Sequence, residues 1–597
     1  MARVAEPLVP FPLRVLLGRI AHEWATRGRI FDLPASRFFD ISAGPDLSVE
    51  FLGRAAATPL GPAAGPHSQL AQNIVLAWLG GARIVELKTV QVLDEIDVGR
   101  PCIDMETVGY NVEWSQELRI GQSLEEYVKA AMIIEILRRW SELTPFVGRD
   151  PGPHVFDLSV GYDLAGISSP AVAAFIDGLT DASETIERLR AEIPEPFAAW
   201  RDHPFPAEVA GSVTLSTFHG CPPDDISAIS RHLMTRHGLD VVVKLNPTLL
   251  GFERVRRIVA AELGYGDVEL RHVDFDADVT FPRALELIGD LDAFARAHGR
   301  RFGIKLTNTL VVENTRGFLP GNPVYLSGPP LHVLSMSLLE ELNRALPGVL
   351  RVDGQPGTVA VSFSAGITKK NFASVAGLGL TPISVCSDLL KPGGYGRLKP
   401  MLAALTGAMG EAGCADLEAW KAHERDAALA AGFPGPVAAY VAGLHDPAQN
   451  GAYTRSGTAQ LPRRVDHVLE TWGCVACNLC VTVCPNDAFF RLPTPDGMEV
   501  PGRQQYLLLA EACNQCGNCG VFCPETGDPA SVKPALYLDP ARFAIGDRPG
   551  FLLTRDGRGV RVTPSPGRES DAGRLGQILN AEEGLPFDPA DLVPSGS

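Results

Sequence analysis

The stretch from Cys474 to Cys523 carries the pattern C-x2-C-x2-C-x3-C-P twice: Cys474, Cys477, Cys480 and Cys484-Pro485, then Cys513, Cys516, Cys519 and Cys523-Pro524. Three thiolates at this spacing wrap one iron-sulfur cube, while the fourth, turned away by proline, reaches the cube of the other half. The pattern implies two [4Fe-4S] clusters with crossed ligation. Cys474, Cys477, Cys480 and Cys523 would hold one, and Cys513, Cys516, Cys519 and Cys484 the other. Zinc is usually served by two C-x2-C pairs per ion, which leaves the third cysteine and the closing Cys-Pro of each run unexplained. Eight of the twelve cysteines sit in this cassette. Such clusters survive where thiols are kept reduced, so the expected location is cytoplasmic.

A chain of 597 residues exceeds one ordinary domain. Lys plus Arg number 53 against 70 Asp plus Glu, a net charge of -17. That field repels nucleic acid and anionic membrane, and neither is expected as a partner. Arg3, Arg14 and Arg19 interrupt the apolar residues at the start, so no signal-peptide core is legible there. No apolar run reaches the length of a membrane span.

In chain order, residues 1–45 read as an N-terminal helical cap with Leu13, Leu16, Leu17 and Ile20 on one side. Over residues 46–400, short apolar runs alternate with helical patterns. The strands are expected at 55–60, 82–88, 155–160, 212–216, 241–245, 302–306, 358–363 and 383–386. Strict alternation implies a parallel sheet, and eight repeats over this length suit a (β/α)8 barrel, an α/β fold. A Rossmann reading fails, because no G-x-G-x-x-G occurs. Residues 401–462 read as an Ala-rich helical segment and linker. Residues 463–540 read as a small α+β domain built on the cassette, with an inserted hairpin at 489–509. Residues 541–597 read as a hairpin around Asp556-Gly557 and a flexible tail.

Barrel chemistry sits at the C-terminal strand ends, with phosphate commonly held by the loops after strands 7 and 8. Here those loops are Ser364-Ala365-Gly366 and Cys386-Ser387-Asp388, small enough for backbone N–H groups to approach phosphate oxygens. The other strand ends carry Lys88-Thr89, Asn111, Ser216-Thr217, Lys244-Leu245-Asn246 and Lys305 to Thr309. Convergent cationic and amide groups, in a chain that also carries one-electron centres, suit a flavin. A flavin exchanges single electrons with clusters and a hydride with substrate.

The motifs Thr58-Pro59-Leu60-Gly61-Pro62-Ala63-Ala64-Gly65, Glu86-Leu87-Lys88-Thr89, Lys244-Leu245-Asn246-Pro247 and Thr307-Asn308-Thr309 resemble the FMN barrel of the dihydroorotate and dihydropyrimidine dehydrogenases. Residues 10–400 resemble more closely the bacterial selenate reductase iron-sulfur subunit family. That similarity rests on Gly61 to His67, on Gln69 to Asn73, on Asn111-Val112-Glu113-Trp114-Ser115 and on His219-Gly220-Cys221-Pro222-Pro223. The resemblance implies a barrel of dihydroorotate dehydrogenase type, followed by a helical linker and a bacterial-type ferredoxin domain. It implies FMN at Ala63, Ala64, Gly65, Lys88 and Lys244, with phosphate at Gly366 and Ser387. Asn111, Asn246, Asn308 and Thr309 would then face a small heterocyclic substrate.

In that family a loop cysteine before proline protonates substrate, and Cys221-Pro222 is similar. The local motif departs from the family's Asn-x-Ser-Cys-Pro, so His219 and Thr217 stand as alternatives. Reduction of an oxyanion such as selenate and a non-catalytic electron relay remain the alternative functions. Relatives of this kind add an FAD- and NAD(P)H-binding module. The expected electron partner is therefore a subunit resembling the small subunit of glutamate synthase, or a ferredoxin.

Overall fold

The structure is a computed structural model and describes residues 8–93, 102–104, 110–111, 116–216, 220–317, 319–546, 548–557 and 559–588, with 110–111 as backbone alone. Eight apolar runs form the parallel strands β1 (Leu60–Pro62), β2 (Ile84–Glu86), β3 (Val155–Gly161), β4 (Ala210–Ser216), β5 (Asp240–Leu245), β6 (Phe302–Leu306), β7 (Ala360–Phe363) and β8 (Ile383–Val385). Their order is β1-β8-β7-β6-β5-β4-β3-β2, with every pairing parallel.

The two ends of that order meet. Arg83 N–H donates to the Leu60 carbonyl at 2.9 Å. A β-carbon on Gly61 would lie 1.5 Å from the Ile84 carbonyl oxygen, so only glycine lets β1 and β2 approach this closely. The result is a closed α/β barrel with the alternation expected from sequence.

One expected strand is displaced. Residues 54–56 pair antiparallel with Val49–Phe51 instead of entering the barrel, and β1 starts at Leu60. Pro59 lacks the N–H a central strand must donate, and it separates the two segments. Phe51, Leu52 and Ala56 of this hairpin pack on Ile84, Val155, Val242 and Ala360. These lie at or near the starts of their strands, so the hairpin plugs the N-terminal end and leaves the chemistry to the other. At that other end a small sheet orders Leu310–Val312, Val324–Leu326, Ile103–Asp104 and Tyr110–Asn111, drawn from the loops after β2 and β6.

After the barrel come the helices Leu398–Glu411, Leu417–Ala430 and Pro436–His445. The C-terminal part forms a five-stranded sheet ordered β9 (Phe489–Pro493), β10 (Gln504–Leu509), β11 (Ala535–Tyr537), β12 (Phe551–Asp556) and β13 (Gly559–Pro564). Both hairpins anticipated from turn residues are present, and the second extends the sheet begun by the first. The helix Glu569–Leu579 was not anticipated. Its buried Leu575, Ile578 and Leu579 lie on one face, a pattern that flanking Gly and Pro obscured.

The helix Leu13–Arg27 joins the parts. Arg19 bridges Glu23 at 2.6 Å and Asp487 at 2.5 Å, all buried, which ties the cap to the residues just after Cys484. One continuous apolar core runs from this helix through the barrel into the five-stranded sheet. Among the described residues, no helix is long and apolar enough to cross a membrane.

Candidate functional site

Period-2 alternation decides what enters the barrel mouth. In register, Ser216 pairs with Lys244, Lys244 with Lys305, and Lys305 with Ser362, a polar layer around β4 to β7. Across the mouth from β2, Glu86 forms a buried ion pair with Lys305 and accepts the Ala64 N–H at 3.0 Å. Burial opposes the Glu86 charge, yet Lys305 and Lys244 hold its carboxyl below the usual range. Burial pushes the Lys244 ammonium down to about 8, with Lys305 and Lys88 adding to the fall and Glu86 opposing it. Glu86 Oε1 and Ser384 Oγ are buried without hydrogen-bond partners.

From sequence Lys305 was named only among the polar strand ends and Glu86 only within a motif, and neither was given a role. The available signal was a charge at an inward position of an otherwise apolar strand.

The loop after β1 is built against this cluster. Ala63 N–H donates to the Val385 carbonyl at 3.0 Å, and the Lys88 N–H donates to the Ser68 carbonyl at 3.0 Å. Tyr127 Oη donates to the Lys88 carbonyl at 3.0 Å. A β-carbon on Gly65 would sit 2.9 Å from Cys386 Sγ, which brings the β1 and β8 loops together. Burial pushes the Cys386 thiol up to about 11, although Lys88 and Lys244 draw it down.

The loop after β7 turns at Gly366, with φ +54 and its missing β-carbon 2.6 Å from the Gly328 carbonyl. Buried His332 fixes that loop, its Nδ1 lying 2.8 Å from the Ala365 carbonyl and its Nε2 2.9 Å from Tyr440 Oη. The carbonyl can only accept, so Nδ1 carries the proton. Ser387 opens a short 3-10 turn whose Asp388 is held by Arg397 through two 2.8 Å bonds. Gly366 and Ser387 thus end adjacent strands.

The amides expected to face substrate partly converge. Asn308 Nδ2 donates to Asn246 Oδ1 at 2.6 Å, and Asn308 N–H donates to the Leu245 carbonyl at 2.9 Å. The backbone of Asn111 pairs with Ile103, while its side chain, like Thr217 and His219, lies outside the described residues. Thr309 follows Asn308 on the same loop.

Cys221 stands apart. It is buried, and its thiol is pushed up to about 12 by burial and by Asp225, Asp278 and Asp163. That set shares no member with the lysine cluster. Asp278 clamps the loop by accepting from Gly220 N–H at 2.6 Å and Thr248 Oγ1 at 2.7 Å.

Deeper in the barrel, Asp157 accepts from Ser212 Oγ and Thr214 Oγ1 at 2.6 Å each. Burial raises its pKa to about 7 from 3.8, so in the folded chain it is largely protonated below neutrality. A raised carboxyl contributes stability that is complete below pH 3.8 and is lost as pH rises to about 7. Asp157→Asn is therefore expected to unfold at higher denaturant than the parent at pH 8, by on the order of a few kcal/mol, and to show no gain at pH 4. Equal gains at both pH values would contradict this.

In the cassette, the two runs adopt matching turns. Ala476 and Gln515 have φ of 53 and 57, and Asn478 and Gly517 have φ of 63 and 80, at equivalent positions. The short helices Leu479–Thr482 and Asn518–Phe522 follow. The thiols sort by their electrostatic neighbours. Burial raises Cys480, and Cys477, Cys474 and Cys523 act on it in the same direction. Burial likewise raises Cys519, with Asp528 and then Cys516, Cys513 and Cys484 acting in the same direction. These are the two crossed sets of four. Neither set closes on a single point: among the described residues no three His, Cys, Asp or Glu side chains could hold one ion.

The set of Cys484, Cys513, Cys516 and Cys519 faces the barrel. Asn518 Nδ2 donates to the Leu390 carbonyl at 2.9 Å, and Tyr395 Oη donates to the Pro485 carbonyl at 2.8 Å. The Tyr395 ring meets His67 edge-on at 5.2 Å, two residues beyond Gly65. Asn514 and Gln69 both donate to Glu117, at 3.0 and 2.7 Å. The other set faces outward, with Cys477 exposed and Val475 half exposed beside it.

A closed parallel barrel with its polar cluster at the C-terminal strand ends defines a TIM-barrel enzyme, and the comparisons give its kind. Residues 31–431 match the family model "Oxidoreductase YgfK, N-terminal TIM-barrel domain", and the chain belongs to that family. It is 40% identical over 418 residues to the oxidoreductase YgfK of Escherichia coli K12, covering 67% of this chain and 39% of that protein. The Escherichia coli O157:H7 protein gives the same values. The match thus spans well under half the length of these relatives. A solved DHODH from Eimeria tenella, crystallised with ferulenol, aligns with 70% of this chain and 96% of its own at 15% identity and a TM-score of 0.36. The barrel assignment rests on the strand order and the family match.

Proposed function

We propose that this oxidoreductase uses FMN and two [4Fe-4S] clusters to reduce or oxidise a conjugated C–C or C–N bond of a small polar heterocycle, of pyrimidine, purine or hydantoin type. One juxtaposition carries the reading. Lys88, Lys244 and Lys305 gather at the barrel mouth with Glu86, and Asn518, in the segment that carries a four-thiol set, donates to the Leu390 carbonyl in the loop after β8 of the same barrel. Lysines in excess of carboxylate suit an electron-accepting ring, and orphaned Glu86 Oε1 and Ser384 Oγ offer it polar partners. Eight thiols in two sets of four are the donor set that two cubes take.

Ala63, Ala64, Gly65, Lys88 and Lys244 would line the ring and ribityl chain, Gly366 and Ser387 the phosphate, and Asn111, Asn246, Asn308 and Thr309 the substrate. When bound, FMN supplies hydride exchange with substrate and single-electron exchange with the clusters. The chain's own residues orient the heterocycle through amides and supply the balancing proton. At neutral pH the Cys221 thiol carries a proton, and Cys221, His219 and Thr217 are the candidate donors. Because a general acid contributes ~10²- to 10⁴-fold, Cys221→Ala is expected to slow turnover by that order while flavin and iron contents stay unchanged. Undiminished turnover in Cys221→Ala would remove it from the role.

Electrons would reach the outward thiol set from an FAD- and NAD(P)H-binding partner resembling the small subunit of glutamate synthase, or from a ferredoxin. The test is anaerobic. The reduced protein is mixed with pyrimidines, purines, hydantoins and oxyanions, and flavin reoxidation is followed optically. Reoxidation by a heterocycle supports the reading, and reoxidation by selenate alone would replace it with oxyanion reduction.

A further inference from the structure

Beyond the cassette, Arg548 makes a contact with it that the reading above does not use. Arg548 lies between the helix Pro540–Ile545 and β12, and its guanidinium Nη2 donates to Cys513 Sγ at 3.5 Å. The segment that delivers it is tightly built. The Arg548 carbonyl accepts from Tyr537 Oη at 2.9 Å. A β-carbon on Gly546 would lie 2.8 Å from Tyr537 Oη, and one on Gly550 would lie 2.5 Å from the Ala535 carbonyl and 2.7 Å from the Tyr537 ring. The loop is therefore pressed onto β11 by two glycines, and Arg548 sits half-buried at the sulfur.

The other thiol set has a different cation. Lys533 is buried and faces Cys480, but its ammonium is engaged by the carbonyls of Glu470, at 2.7 Å, and Thr471, at 3.3 Å. Each set thus has a positive neighbour, and the barrel-facing set also meets Asp528, whose Oδ1 accepts from Cys519 Sγ at 3.7 Å, but it is Arg548 that brings a cationic hydrogen-bond donor directly to a sulfur.

Cluster potentials follow net charge and hydrogen bonds to the sulfurs. A donor that is also a cation stabilises the state with the extra electron, because each reduction adds a negative charge to the thiolate-bound cube. We infer that Arg548 is a positioning residue that raises the reduction potential of the barrel-facing cluster, favouring electron flow inward from the exposed cluster. The inference rests on the two-cluster reading.

The test is a redox titration of the full anaerobic chain followed by electron paramagnetic resonance. In Arg548→Gln, one of the two cluster midpoints is expected to fall to a more negative potential while the other stays in place. In Arg548→Lys the shifted midpoint is expected to recover in part. Iron content unchanged from the parent shows that assembly is intact. If Arg548→Gln does not assemble the cluster, Arg548→Met is titrated with the same expectation. Two unmoved midpoints in a fully assembled variant overturn the inference, as does a cluster that assembles with lysine but with neither neutral residue, which would make the contact structural. Absence of any cluster signal from the parent chain would instead overturn the two-cluster reading itself.

Discussion

Cys484→Ala is expected to disable the cluster whose other ligands are Cys513, Cys516 and Cys519, and to leave the cluster of its own sequence neighbours Cys474, Cys477 and Cys480 in place. The grouping of thiols carries the expectation. Burial pushes Cys484 up to about 12 and Cys513 adds to the rise, while the thiols that act on Cys480 are Cys477, Cys474 and Cys523. Proline after the fourth cysteine turns it out of its own loop. On the proposed two-cluster reading the functional loss is expected to be large, because the segments that carry this thiol set are the ones joined to the barrel through Asn518 and Leu390, and through Pro485 and Tyr395. Flavin reduction by a protein donor should fail in this variant although the outward cluster still accepts electrons. Iron analysis with magnetic spectra of the reduced protein reads the result. Loss of the Cys474, Cys477 and Cys480 cluster instead would break the crossed assignment.

Glu86→Gln is expected to destabilise the chain by ~3–5 kcal/mol, the cost of leaving a buried charge without its partner. Lys305 and Glu86 are each almost wholly enclosed, and Lys244 and Lys88 add positive charge at the same place. The loop from Ala63 to Gly65 also loses strength, because the Ala64 N–H donates to the same carboxylate. The double variant Glu86→Gln with Lys305→Met should regain most of the loss, since replacing both members of a buried pair is far milder than removing one. Denaturant unfolding of flavin-free protein isolates this effect from cofactor binding. A single variant within about 0.5 kcal/mol of the parent would show that the pair is not the anchor described.

Much of this architecture was legible because two patterns are local. All eight barrel strands were marked by apolar runs closing on polar residues, and the cassette by cysteine spacing. The first strand was misplaced by a few residues, because apolar Ala55 to Ala57 read continuously across Thr58-Pro59. The fold resolves them into a plug hairpin and a barrel strand at Pro59, which has no N–H to donate although its carbonyl accepts from Ile383 N–H at 2.8 Å.

At the site, Lys88, Lys244, Asn246, Asn308 and Gly366 stood out through their places at strand ends. Lys305 and Cys386 lay in the strand-end groups and Glu86 in a motif, but their pairing was not legible, because it is relational: a carboxylate on β2 meets an ammonium on β6 across the barrel, and no spacing in the chain encodes that distance. Arg548 was illegible for the same reason. Its contact with Cys513 depends on the parallel pairing of β11 with β12, which turn residues do not announce. His332, on a helix far in sequence from Ala365, could be seen as a buried histidine but not as the clamp of the β7 loop.

The most direct test of the central claim is the cofactor content and reduction order of freshly purified anaerobic protein. The account predicts FMN rather than FAD, iron and sulfide for two four-iron clusters, and stepwise bleaching of clusters and flavin when dithionite, or NAD(P)H with its flavoprotein partner, is added. Stoichiometric zinc with no iron, or clusters present with no flavin bound, would contradict it.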